Sequence, residues 1–297
     1  MFVTQIAPSQ VQHNKDTFSC VNLFDNCAVK LPVHPESEVV CRAMDALFPF
    51  LTPTYLILAL GIAFCAGFVK GVVGFAQPLV MISGLTLFLS PELALAGLIL
   101  PTLIGNIFQA MGQGFRAAWR SMVQFRYFLI SGGITLVIAA QMVRVVPEAV
   151  LQFAIGVPAL AYAALQLGGI QFHLTQRRAD VETAVGALAG VMGGFAGVWG
   201  PPTVMYLTAL STPKHDQMRV QGVIYGMGSV ALLGAHIGSG VLRTETAPFS
   251  ALLILPALLG MWVGGKVINR IDQAMFKRAT LIVLLIAGAN LIRRALF

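Results

Sequence analysis

The sequence predicts an all-α integral membrane protein of two inverted repeats with roughly four spans each, the first span of each repeat broken by Gly and Pro into half-helices. Three observations predict it. Of the 297 residues, 57% are hydrophobic and 10% charged, with a mean hydropathy of +0.80; a soluble domain is about a quarter charged. Two apolar stretches, 61–85 and 186–210, are interrupted by Gly and Pro at corresponding places, a pattern that points to discontinuous helices around a transporter binding site. Basic residues fall in short clusters between apolar runs, as the positive-inside rule expects.

Residues 1–43 differ from the rest, interleaving Gln, Asn, Ser, Pro and His without periodicity. They lack the basic start, apolar run and cleavage site of a signal peptide and are expected to be a disordered tail or an upstream extension, with Met44 as the start. Cys20, Cys27 and Cys41 lie there, and Cys65 lies in an apolar run where a small packing residue fits. No CxxC spacing or zinc-ligand interval occurs, so no metal or cofactor is expected.

The run 53–89 is apolar and too long for one crossing of about 20 residues. Gly67, Gly71, Gly74 and Pro78 divide it, with Lys70 and Gln77 at the division. Ser90, Pro91 and Glu92 make a turn and a capped helix start before the span 93–111. Arg116, Arg120 and Arg126 are expected in a short loop, and spans 128–143 and 150–169 complete a first repeat over 53–170. A polar connector, 171–182, leads to the second repeat, 183–297. There the broken stretch reaches Leu210, and Thr212–Pro213 turns the chain where Ser90–Pro91 does in the first half. Spans 220–240, 249–267 and 281–292 follow. Pro78-Leu-Val-Met81 matches Pro202-Thr-Val-Met205, which supports an internal repeat.

Charge tests how the broken stretches cross. With Arg116, Arg120 and Arg126 in the cytoplasm, a single crossing by 186–210 would put Lys266, Arg270, Lys277 and Arg278 outside. A double crossing puts them inside, which the positive-inside rule favours. It also gives each half an odd number of segments, hence inversion.

Two motifs carry a resemblance: Ala66-Gly-Phe-Val-Lys-Gly-Val-Val-Gly-Phe-Ala-Gln-Pro78 and Gly190-Val-Met-Gly-Gly-Phe-Ala-Gly-Val-Trp-Gly-Pro-Pro202. With the spacing of the other spans over 53–297, the chain resembles the sulfite exporter TauE/SafE family of bacterial membrane proteins. The resemblance implies a plasma-membrane carrier, an exporter by direction, for small organic or sulfur-containing anions such as sulfite and sulfonates. The chain departs in having Lys70 where a small residue is common, and in fewer glycines in the first motif.

Half-helix N-termini expose N–H groups and partial positive charge, which suits an anionic head group. The candidate cradles run from Gly74 through Gln77 and Pro78 to Leu79, and from Gly197 through Trp199, Gly200, Pro201 and Pro202 to Thr203. Isolated glycines, Gly71 among them, are also explained by close helix packing. Lys70 is a candidate anion ligand, or a snorkelling residue near a helix end. Asn106 and Gln109 in one span, and Gln221, Tyr225 and Ser229 at i, i+4 and i+8 in another, line a path or bond between helices. Arg219 stands at a mouth or flanks a span. Trp199 stacks on substrate or fills space beside glycines.

No span holds a pair of Asp or Glu, and HExxH, GxSxG and Walker A sequences are absent. Enzyme chemistry and ATP hydrolysis are therefore not expected, and transport would be secondary or passive. The partners are a small anion and the lipid bilayer; no basic stripe suggests nucleic acid. The competing readings are a non-transporting scaffold or maturation factor and an anion channel.

Overall fold

The computed structural model describes residues 52–142, 147–170, 173–196, 199–238 and 241–296. Residues 1–43 and Gly197 lie outside them. The chain divides into units Met1–Thr54 and Tyr55–Phe297; the described residues of the second form helices joined by turns, with no strand among them.

The first half comprises α1 (Pro53–Val73), α2 (Gln77–Leu85), α3 (Pro91–Met111), α4 (Phe115–Gln124), α5 (Arg126–Met142) and α6 (Glu148–Leu167). The second comprises α7 (Ala179–Ala196), α8 (Gly200–Ala209), α9 (Lys214–Gly238), α10 (Ala247–Leu252), α11 (Ile254–Arg270) and α12 (Gln273–Leu296). Among the described residues, four stretches are long and apolar enough to cross a membrane: α1, α3 from Glu92, α10 with α11, and α12. The pair α4 and α5, bent by 75°, makes up to five.

Local sequence explains the ends. Ser90 caps α3 by accepting from the Leu93 N–H at 3.3 Å, and Pro91 occupies a first-turn position where a missing donor costs nothing. Asp180 sits in the first turn of α7, where a negative charge suits the helix dipole; the Arg178 guanidinium hydrogen-bonded to it holds its carboxyl below the usual range. Arg116 and Arg120 belong to α4 rather than to a loop. That helix exposes Phe115, Trp119, Met122 and Val123, a surface suited to the membrane interface. Cys65 is exposed instead of packed, because it lies on the face of α1 turned away from the bundle.

Glycine lets several helix pairs touch backbone to backbone, as small residues do in membranes. A Cβ on Gly67 or Gly71 of α1 would overlap the carbonyls of Ala257 and Met261 in α11, and one on Gly260 or Gly264 would overlap those of Phe64 and Phe68. Gly132 of α5 meets Gly186 of α7, and Gly156 of α6 meets Gly288 of α12.

Hydrogen bonds gather the basic connections at one end. Arg219 donates to Ser121 at 2.8 Å, Lys214 donates to the Ile268 carbonyl at 2.8 Å, and Gln273 donates to the Thr212 carbonyl at 3.0 Å. Arg177 reaches the Gln124 carbonyl. The same end therefore holds Arg116, Arg120, Arg177, Lys214, Arg219, Arg270, Lys277 and Arg278. At the other end Arg243 pairs with Glu92 at 3.3 Å, and α12, about 36 Å long at 1.5 Å per residue, carries Arg293 and Arg294 there.

Candidate functional site

Each glycine-rich stretch is interrupted. Between α1 and α2 the chain turns through Gly74 (φ 86°) and Ala76 (φ 70°). For alanine the left-handed region costs about 1–2 kcal/mol, so surrounding contacts must hold this turn. One of them is Gln109 of α3, whose amide donates to the Gly74 carbonyl at 2.9 Å. Gly74 itself admits no side chain, because a Cβ would overlap the Gln221 amide. Between α7 and α8 the break ends at Trp199, and α8 opens with Gly200, Pro201 and Pro202.

A cavity of about 240 Å³ lies beside both breaks. Lys70 of α1, Phe75 and Ala76 of the first turn, and Pro78, Leu79 and Ile82 of α2 form one wall. Leu95, Leu98, Thr102 and Asn106, spaced as one face of α3, form another. Trp199, Gly200, Tyr225 and Leu232 complete it, with the exposed Arg294 at its edge.

Lys70 is 1% exposed. Its ammonium donates to the Asn106 side-chain oxygen, and no carboxylate of the described residues pairs with it. It does not snorkel to an exposed surface. Asn106 is fully used: its amide donates to the Tyr225 carbonyl at 3.1 Å and to the Ser229 hydroxyl at 2.5 Å. One neutral acceptor therefore holds the buried Lys70 side chain, and α1, α3 and α9 meet at that point. The Thr102 hydroxyl, on the cavity wall one turn before Asn106, has no partner.

Of the residues singled out from sequence, Lys70, Pro78, Asn106, Trp199, Gly200 and Tyr225 come together on this cavity. Gln77 is buried beside it, its oxygen near Gly105, against which the Lys70 stem also packs. Thr203 is buried in the first turn of α8 and donates to the Trp199 carbonyl at 2.8 Å. Gln221 is buried behind the Gly74 turn, and Gly71 packs on Met261. Pro201 and Pro202 line a different, apolar crevice of about 180 Å³ with Pro158, Leu174 and Tyr206.

The prolines have a local explanation too. They occupy positions of the first turn of α8 where an N–H would lack an intrahelical acceptor. They therefore leave that helix start poor in donors, while α2 retains the N–H groups of Gln77 and Leu79. Trp199 fills space and also lines the cavity: its indole passes between Gly193 and Gly228, where a Cβ on either would overlap the ring. Thr102 was findable as a polar residue at i−4 from Asn106. Arg294 was not, since nothing in its local sequence links it to residues two hundred positions away.

A family model described as sulfite exporter TauE/SafE matches residues 59–291. The chain belongs to the TauE/SafE family. As a TauE/SafE protein it is a multi-pass membrane protein of a transporter family, and the family description concerns transport of sulfite-like anions. The match takes in both glycine-broken stretches and every cavity residue except Arg294. No curated protein and no solved structure matches the chain.

Proposed function

We propose that this TauE/SafE protein is a secondary carrier, working as an exporter, that binds a small organic or sulfur-containing anion at Lys70. The observation that carries the reading is the buried ammonium on a cavity wall with a neutral partner and no carboxylate. A charge inside a membrane protein is costly unless paired, and by default it marks a pathway. A bound anion would supply the missing charge. The unpartnered Thr102 hydroxyl and the N–H groups of Gln77 and Leu79 offer further donors, and Trp199 and Tyr225 offer a wall for the rest of the molecule.

In this reading 53–170 and 183–297 are inverted repeats joined by 171–182, α2 and α8 are half-helices, and alternating access moves one repeat against the other. The basic end lies in the cytoplasm, with the protein in the plasma membrane. The cavity then faces outward, since Arg294 stands at the opposite end from Lys277 and Arg278. Among the described residues no carboxylate stands beside Lys70, which favours a carrier site over a proton relay built on Asp or Glu.

Thermal unfolding of the detergent-purified protein against sulfite, taurine, sulfate and acetate tests this. A ligand specific to the folded state stabilises by about 2.7 kcal/mol at a hundredfold excess over Kd. The expected result is a shift with one class of anion that disappears in Lys70→Met. A shift that survives Lys70→Met moves the site to the helix ends. No shift with any anion favours the scaffold reading, and high-conductance uncoupled flux in liposomes would favour a channel.

A further inference from the structure

From the cavity wall at Asn106 and Tyr225 toward the basic end, α3 and α9 are joined by a polar seam that continues past the residues lining the cavity. The helices run antiparallel, and α3 with the turn that follows it hands a side-chain amide to an α9 backbone carbonyl three times. Asn106 donates to Tyr225 at 3.1 Å, Gln109 to Met218 at 2.8 Å and Gln113 to His215 at 2.8 Å. The facing stripe on α9 is Gln217, Gln221, Tyr225 and Ser229, spaced four apart and so on one face. Gln113 is exposed where the seam reaches the surface, and Arg219 donates to it there.

The centre of this seam is closed to the surface. Gln221 is 0% exposed, and neither its amide nitrogen nor its oxygen has a partner; the Gln109 oxygen and the Gln217 nitrogen are also buried and unpartnered. Buried polar groups are nearly always bonded, because desolvating an amide without compensation is costly. A permanent helix contact gains nothing from carrying them, since apolar residues would pack there without that cost. Water, by contrast, would satisfy all of them if the helices parted. Between these amides Gly222 lets the α9 backbone lie directly on Ala110 of α3, so no bulky apolar side chain fills the seam at that point. The seam also touches the turn beside Lys70: Gln109 holds the Gly74 carbonyl, and Gln221 fills the space beside Gly74.

We infer that the α3–α9 seam from Asn106 to Gln113, centred on Gln221, is the closed gate on the basic side of the cavity. Its opening wets Gln221 and Gln217 and gives the Lys70 cavity a second exit. Because Gln221 and Met218 of α9 pack against Gly74, parting the seam removes the α9 side of the turn that positions the start of α2, so gate and site move together. The inference rests on the carrier reading, which supplies the reason for a second exit.

The test needs no substrate. In a background with Cys20, Cys27, Cys41 and Cys65 replaced by Ser, Gln221→Cys is exposed to a membrane-impermeant maleimide in inside-out vesicles and in spheroplasts. Labelling is expected from the basic, cytoplasmic face only, at least tenfold slower than at Gln113→Cys, as for a residue reached through a transient opening. Gln217→Cys provides the same readout should the first variant fail to fold. Adding Gln221→Leu to Gln217→Cys should raise Tm and slow labelling at least tenfold, because a dry seam no longer gains by wetting. No labelling at either position, or labelling from the outer face alone, overturns the gate. Anion binding that depends on Lys70, together with an unlabelled seam, would retain the carrier site and remove the gate. A labelled seam in a protein that binds no anion would do the reverse.

Discussion

The indole of Trp199 occupies the space that a side chain on Gly228 would need: a Cβ there would overlap the ring, and one on Gly193 would meet its opposite edge. The two glycines, on α9 and α7, therefore set how far the ring reaches into the cavity. Gly228→Ala is expected to push the indole toward Lys70 and weaken anion binding at least tenfold. The protein should still fold, since helix propensity favours alanine by about 1 kcal/mol. Titration of the anion-induced Tm shift measures it.

Asn106→Asp separates charge from shape. The carboxylate would stand where the amide oxygen now accepts from Lys70, completing the ion pair that the wild-type site leaves open. The expected outcome is a folded protein whose Tm no longer responds to anions, with apparent affinity down tenfold or more. An undiminished response would mean that Lys70 does not meet the ligand.

Pro201→Ala with Pro202→Ala should leave anion binding within about twofold of wild type. Both rings face the crevice with Pro158 and Tyr206, not the cavity, and both occupy the first turn of α8, where an N–H has no helical acceptor. Binding by thermal shift and membrane yield are the readouts.

Glu182 is 1% exposed, accepts from Arg177 at 2.7 Å and accepts from the Phe128 N–H at 3.3 Å at the start of α5. Arg177 also stacks on Phe125 at 4.3 Å. Glu182→Ala removes both bonds and is expected to destabilise by about 1–3 kcal/mol, read as a lower Tm in detergent with the ligand response intact. Glu182→Gln should recover part of the loss, because the amide oxygen still accepts from Phe128.

Much of this protein is legible along the chain. The breaks at Gly74 and before Gly200 follow from glycine and proline, whose effects on the backbone are local, as is the Ser90 cap. The family motifs are contiguous. The α4 helix was harder to read: its Arg-rich, Trp-containing sequence resembles a loop in hydropathy, and only its burial of Ala117, Ala118 and Ser121 shows a helix lying on the bundle.

The sequence by itself determined that the chain lives in a membrane, where its helices break and to which family it belongs, because those properties depend on composition and on neighbours along the chain. Only the tertiary structure decided that Lys70 meets Asn106 across 36 residues and that Asn106 meets Tyr225 across 119. It alone turned Pro201 and Pro202 away from the cavity and brought Arg294 to its edge. Those outcomes depend on which helix faces pack together, and here backbone contact at glycines such as Gly67, Gly132 and Gly288 sets that packing; spacing in the sequence carries no record of which partner each glycine will meet.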